Sequence, residues 1–222
     1  MKVLILRPQP GAGETAARAG AMGLDPVVAP LFTIRPIAWT PPAPAGFGAV
    51  LLTSANAARL AGGGMTPFLS LPCYAVGERT AAAAREAGFR DIRTGPGDGE
   101  ALSRMIAAEG SGPAFHPCGR EHRAFDNVLS LPVYAADAAE HLPDPAASAI
   151  AQGAIALLHS PRAAALFAQL AGPLRSAVQV VAISPAAAEA AGAGWRSRRV
   201  AESPRDHALL ELAAKLCQDA AI

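Results

Sequence analysis

The sequence predicts an α/β protein made of two similar parallel-sheet halves, and three observations carry that reading. Short, almost wholly apolar segments alternate with alanine-rich helical stretches, the pattern of strands buried on both faces. A strand–hydroxyl–helix junction, LLTSANAARL at 51–60, recurs as LLHSPRAAAL at 157–166. The likeness also continues beyond that junction at a nearly constant offset.

The echo runs from CYAVGERTAAAAREAGF (73–89) and DIRTGPGDGEALSRMI (91–106) to VVAISPAAAEAAGAGW (180–195) and RRVAESPRDHALLELA (198–213). Ser54 aligns with Ser160, Gly77 with Ser184, Gly88 with Gly194, and Ala101–Leu102 with Ala208–Leu209. The predicted strands are AVLLT (49–53), CYAV (73–76), AIALLH (154–159) and QVVAI (179–183). Helices between them end near Gly88 and Gly192, since glycine stops a helix well. Alternation of this kind implies right-handed crossovers and a doubly wound sheet.

Outside the echo, KVLILR (2–7), a helix near 13–22 and a strand PVVAPLFTI (26–34) form one more βαβ piece. The proline-rich PIAWTPPAPAGFG (36–48) reads as a connection, AFHPCGREHR (114–123) as a strand running into a basic turn. LPVYAAD (131–137) is a short extended segment and HLPDPAASA (141–149) a loop. Two halves joined by extended segments near 31–37 and 131–137 are expected.

Composition narrows the function. The chain has 222 residues, enough for two small domains, with a formal charge of +1, so nucleic acid and anionic membrane surfaces are not expected partners. No apolar run approaches the ~20 residues of a membrane span, and the start MKVLILRPQP is too short for a secretory signal. Three scattered cysteines, Cys73, Cys118 and Cys217, suit a reducing cytoplasm rather than a disulfide framework. A soluble, cytoplasmic monomer is expected.

Ligands of parallel sheets bind beyond the carboxyl ends of the strands. Here those junctions are Thr53–Ser54, Val76–Gly77, His159–Ser160, Ile183–Ser184 and Glu202–Ser203. Serine caps helices and proline favours their first position, so Ser160, Ser184 and Ser203, each followed by proline, read as helix starts. Such a start also presents backbone N–H groups and partial positive charge, which suits a ligand with scattered carboxylates. Arg7, Arg59, Arg79, Arg120, Arg123 and Arg162 stand near strand ends and would add charge.

Other signals are weak. GAGETA (11–16) fits a loose dinucleotide fingerprint, but Pro8 and Pro10 part it from the strand and no acidic residue ends the next strand. GPGDGE (95–100) lacks the ending of a phosphate loop and reads as a turn before a helix. His116, Cys118 and His122 have no second ligand group at metal-site spacing, so no metal is expected. No nucleophile elbow occurs. His159 and His207 read as structural, and Tyr134 as a residue of the connection between halves.

The segments VLILRPQPG (3–11), LLTSANAARL, YAVGERTAAAAREAGF (74–89), GDGEAL (97–102), HPCGREHR (116–123), PVY (132–134), LLHSPRAAALF (157–167) and AISPAAAEAAGAGW (182–195) resemble, in order and spacing, the uroporphyrinogen-III synthase family. The resemblance implies two flavodoxin-like lobes, 1–34 plus 137–222 and 37–131. It implies a cofactor-free cyclisation of hydroxymethylbilane, a polycarboxylate tetrapyrrole chain, with loss of water and reversal of ring D. Tyr134 matches the family's recurring tyrosine and would be the acid. Arg7, Ser54, Asn56, Ser160 and Ser184 match recurring cleft positions; Ala55, Gly77, Arg120 and Ser203 at the same strand ends complete the expected binding set. Two departures stand out. Only ten residues part Arg123 from Tyr134, too few for the family's helix and strand there, and Ala186–Ala187 stand where hydroxyl residues are usual. A non-catalytic, anion- or partner-binding relative is the alternative.

Overall fold

The computed structural model describes residues 1–95 and 97–219, so Pro96 of the predicted GPGDGE turn lies outside the described residues. The chain divides into two compact units. Unit 1 is Met1–Thr33 with the chain from Asp137 on, and unit 2 is Ile34–Ala136.

The chain starts with β1 (Lys2–Ile5), α1 (Gly11–Ala21), β2 (Asp25–Val28) and β3 (Phe32–Pro36). Then come β4 (Ala49–Leu52), α2 (Ala55–Leu60), β5 (Cys73–Ala75), α3 (Glu78–Glu86), β6 (Ile92–Thr94), α4 (Gly99–Ala108), β7 (Ala114–Gly119) and β8 (Val128–Ala138). The last third holds α5 (Asp144–Ala151), β9 (Ala154–Leu158), α6 (Pro161–Ala171), β10 (Gln179–Ala182), α7 (Pro185–Ala191), β11 (Ser197–Val200) and α8 (Asp206–Asp219). The proline-rich connection carries only a 3-10 turn, Pro44–Gly46.

Unit 1 is built on a five-stranded sheet ordered β11-β10-β9-β1-β2. Its pairings are parallel, with Leu4 opposite Val27 on one side and Ala156 on the other. β9 is buried at every residue, as its unbroken apolar run requires. Val3, Ile5, Ile155, Leu157 and Val181 meet Ala12 and Ala19 of α1 and Leu209, Leu210 and Ala213 of α8 in one cluster. Pro26 is tolerated because β2 is an edge strand, where a missing donor leaves no partner unpaired.

Unit 2 uses a six-stranded sheet ordered β3-β8-β7-β4-β5-β6. One core cluster joins Val50, Leu52, Phe115 and Val133 of the strands to Ala57, Ala58, Ala83 and Ala84 of α2 and α3, with Phe68 beneath them. A second joins Leu51 and Tyr74 to Leu102 and Ile106 of α4. The aromatic rings concentrate in the first: Phe68 stacks on Phe115 at 4.4 Å, Trp39 stacks on Phe115 at 5.9 Å, and Phe47 tilts against both phenylalanines.

Four expectations need correction. PVVAPLFTI is two strands, not one: Pro30 falls in the break, β2 joins the sheet of unit 1, and β3 the six-stranded sheet. HLPDPAASA is largely helical, as α5, because Pro145 sits in the first turn, where proline's locked φ favours a helix rather than breaking it. LPVYAAD is the second half of an eleven-residue strand, β8. Ser203 caps nothing, since α8 begins three residues later at Asp206. Between Gly119 and Val128 the chain makes no helix, and β8 pairs directly with β7.

Candidate active site

Strand order reverses between β1 and β9 in unit 1, and between β4 and β7 in unit 2. At such a switch point the segments following neighbouring strands part and open a crevice beyond the carboxyl ends. In each unit, polar groups collect there.

In unit 1, Arg7 follows β1 and His159–Ser160 follows β9. Asp206, the first residue of α8, accepts from His159 Nε2 at 2.7 Å, Thr15 Oγ1 at 2.8 Å, Arg7 Nη1 at 3.4 Å, and Arg18 Nε at 2.8 Å. Arg7 Nη1 also donates to Thr15 Oγ1 at 3.3 Å, and Thr15 is fully buried. Burial would raise the Asp206 pKa, but hydrogen bonds from His159, Thr15 and Arg18 outweigh it and hold the carboxyl below its ordinary range. Burial pushes the His159 pKa down, so its ring is neutral and donates from Nε2 to the carboxylate. Its Nδ1 is buried.

In unit 2, the buried ring of His116 bridges two hydroxyls, Thr53 Oγ1 at 2.8 Å and Ser130 Oγ at 2.9 Å. Burial, with a smaller push from His122, brings its pKa down to about 4, so this imidazole is also neutral near pH 7. Phe125 packs edge-on against it, 5.4 Å between centroids.

The serine junctions split into two kinds. Ser54 accepts from the Asn56 N–H, Ser160 from Ala163, and Ser184 from Ala187, so all three are helix caps. At Ser160 and Ser184 the following proline lacks an N–H and the serine occupies another, which leaves fewer backbone donors for a ligand than the sequence suggested. Ser203 Oγ instead accepts from Arg205 Nε at 3.1 Å. Gly77 starts α3 with no side-chain cap, and a methyl there would meet nothing within 4 Å. Its φ of 178° is open to any residue, so neither packing nor backbone strain demands glycine.

Tyr134 is half-buried in β8 opposite Gly119, where a register shift lies between Cys118 and Gly119. A Cβ on Gly119 would fall 2.9–3.1 Å from the tyrosine Cζ, Oη and Cε2, so the ring lies across bare backbone. The Arg120 N–H donates to the Tyr134 carbonyl at 2.9 Å, while the Arg120 residue is exposed. Ala55 and Asn56 are the first residues of α2. Arg7, Ser160, Ser184 and Ser203 thus follow strands of one sheet, and Ser54, Gly77, Arg120 and Tyr134 belong to the other.

Thr15, Arg18, Asp206, Thr53, Ser130 and Gly119 were missing from the sequence-derived set. Only Thr53 had a signal, as the residue before a serine cap, where unit 1 carries His159. No group of three or more His, Cys, Asp or Glu among the described residues is arranged to hold a metal ion. No helix among them is long and apolar enough to cross a membrane.

A family model for uroporphyrinogen-III synthase HemD matches residues 13–211. The chain belongs to the uroporphyrinogen-III synthase family. That family consists of hydro-lyases of porphyrin and heme biosynthesis. Among solved structures, uroporphyrinogen-III synthetase from Helicobacter pylori 26695 is similar over 97% of this chain and 98% of its own, at 18% identity and a TM-score of 0.67. A mutant uroporphyrinogen III synthase from the extremely thermophilic bacterium Thermus thermophilus is similar over 99% of both chains, at 18% identity and a TM-score of 0.52. At that identity these two speak for the α/β fold with its parallel sheets. No curated protein matches the chain in sequence.

Proposed function

We propose that this protein cyclises hydroxymethylbilane to uroporphyrinogen III, releasing water and inverting ring D. The family match across residues 13–211 carries the reading. The reaction is balanced without a cofactor. The substrate's hydroxyl takes a proton and leaves as water, pushed out by a pyrrole nitrogen; the substituted carbon of ring D attacks the resulting cation. The spiro intermediate fragments and recloses with that ring reversed, and the attacked pyrrole carbon then loses a proton, which restores the acid. Because electron-rich pyrroles supply the push, the protein's work is positioning, so that the hindered carbon attacks and the easy closure does not.

In this reading Tyr134 donates the proton to the departing hydroxyl. Arg7, Ser54, Ala55, Asn56, Gly77, Arg120, Ser160, Ser184 and Ser203 bind substrate carboxylates. Their position at carboxyl edges of parallel sheets supports this, as does the open space at Gly77. Ser203 would act through the Arg205 guanidinium it contacts rather than as a helix cap.

We also infer that the lobes handling substrate are 1–34 with 137–222 and 37–131, and that they are copies of one flavodoxin-like unit. The strand order of unit 1 supports this, being 2-1-3-4-5 when its strands are numbered along the chain. That of unit 2 agrees when β7 and β8 are taken as its first two strands. The protein acts as a cytoplasmic monomer.

One observation favours a second reading, a non-catalytic relative: the connection from β7 to β8 has no helix. A single assay separates the two. Supplied with hydroxymethylbilane, the folded protein is expected to yield the type III isomer above the spontaneous type I; type I alone leaves the binding relative. Tyr134→Phe is expected to lower kcat by less than the ~10²-fold typical of a lost general acid, because the pyrrole nitrogen assists departure. An unchanged kcat removes Tyr134 from that role.

A further inference from the structure

We propose that Asp206 and Gly11 are positioning residues that hold the Arg7 guanidinium ready for a substrate carboxylate; the proposal rests on the reading of Arg7 as a carboxylate ligand.

Asp206, Thr15 and Gly11 all touch the Arg7 guanidinium. Asp206 and Thr15 draw its Nη1 inward, at 3.4 and 3.3 Å. The guanidinium also lies over Gly11 at the start of α1, one turn before Thr15, where a methyl would fall 2.7–2.8 Å from Nε, Cζ and Nη2. Any larger residue at position 11 would push the group away.

Asp206 is itself pinned. Thr15 donates its hydroxyl proton to Oδ1, His159 donates from Nε2 to the same oxygen, and Arg18 reaches Oδ2 at 2.7–2.8 Å. One carboxylate therefore ties the chain after β1, helix α1, the end of β9 and the start of α8, with both predicted ligands Arg7 and Ser160 at its border. Arg7 and Arg18 both stand against this carboxylate. An arginine held in advance loses less freedom when it meets an anion than a mobile one.

The contrary view is that the cluster only fastens α8 to α1. Kinetics on the full-length protein separate the two. Gly11→Ala is the gentle variant, because the clash is with a flexible side chain and alanine favours a helix. It is expected to raise the KM for hydroxymethylbilane roughly 5-fold, with kcat within about two-fold. Asp206→Asn is expected to do the same, and in an Arg7→Ala background to add less than about two-fold, since its partner is gone. Asp25→Asn, which removes an exposed carboxylate paired with Lys2, is expected to change nothing.

The proposal is overturned if Gly11→Ala and Asp206→Asn leave KM alone while Arg7→Ala raises it. It is equally overturned if Asp206→Asn keeps its full effect without Arg7. Should the wild type make only the type I isomer, or Arg7→Ala leave KM unchanged, the ligand reading fails, and positioning is read from the Arg7 Nε–H proton by NMR. That proton is expected to exchange slowly with water in the wild type and faster in both variants; equal rates overturn the claim.

Discussion

At the switch point of unit 1 the polar groups include ions: Asp206 among Arg7 and Arg18, with a neutral His159 beside them. At that of unit 2 they are uncharged: Thr53, His116 and Ser130 in a row. Their cores differ in parallel. The cluster of unit 1 between its sheet and α1 and α8 is aliphatic, Val, Leu, Ile and Ala, with Phe167 stacked on Trp195 elsewhere in the unit, whereas one cluster of unit 2 is organised on Phe68 and Phe115 with Trp39 and Phe47 against them. An ion cluster needs every charge answered by close partners, and unit 1 brings four segments to one carboxylate to do so. A row of hydroxyl and imidazole needs only hydrogen bonds, which two strands and one junction supply. Similar layouts thus support unlike chemistry at corresponding edges.

The largest expected effect tests the aromatic centre. Phe115→Ala removes the ring that Phe68, Trp39 and Phe47 all touch and is expected to cost about 3–5 kcal/mol in denaturant unfolding. A cost below about 2 kcal/mol would mean that the remaining rings close over the gap.

Next comes pH. The folded His116 pKa of about 4 lies below the unfolded value of about 6.5. Its contribution is therefore intact above about pH 6.5 and is lost as pH falls towards 4, to a total of about 3 kcal/mol. His159, also held down by burial, contributes in the same direction from unit 1. Asp206, held below the ordinary carboxylate range, stabilises above about pH 4 and loses that contribution only in stronger acid. Unfolding free energies across pH 4–7 should therefore flatten in His116→Gln and stay steep in Asp206→Asn.

A smaller effect is expected at a helix start. Ser160→Ala removes a cap from the Ala163 N–H and should cost about 1 kcal/mol, measured by thermal or denaturant unfolding. The smallest perturbation distinguishes the units by thiol. Burial raises the pKa of Cys73 to about 12 and that of Cys118 to about 11, whereas Cys217 in α8 is half-buried. A thiol reagent is expected to label Cys217 first, and the two thiols of unit 2 only when that unit opens. Early labelling of Cys118 would show that unit 2 opens at its bare β7–β8 connection.

Strand–helix alternation and the capping serines were legible in the sequence because they are local. Burial on both faces writes itself as an apolar run, and a cap needs only a neighbour two or three residues on. Proline misled where position decides its meaning: Pro145 reads as a break and starts a helix, while Pro30 does mark a boundary between sheets. The resemblance supplied Tyr134, but not Gly119, whose bare backbone gives its ring a place to lie.

By itself the sequence determined the α/β class, the buried strands, the caps at Ser54, Ser160 and Ser184 (though not the start of α8) and the family, since each is encoded in contiguous residues or in their order. Only the tertiary structure decided that Arg7 and Asp206, 199 positions apart, share a hydrogen bond, and that His116 serves two hydroxyls. The reason is physical. A polar side chain buried in a sheet must find whichever partner the packing brings near, and that choice is made by strand order rather than by neighbours along the chain.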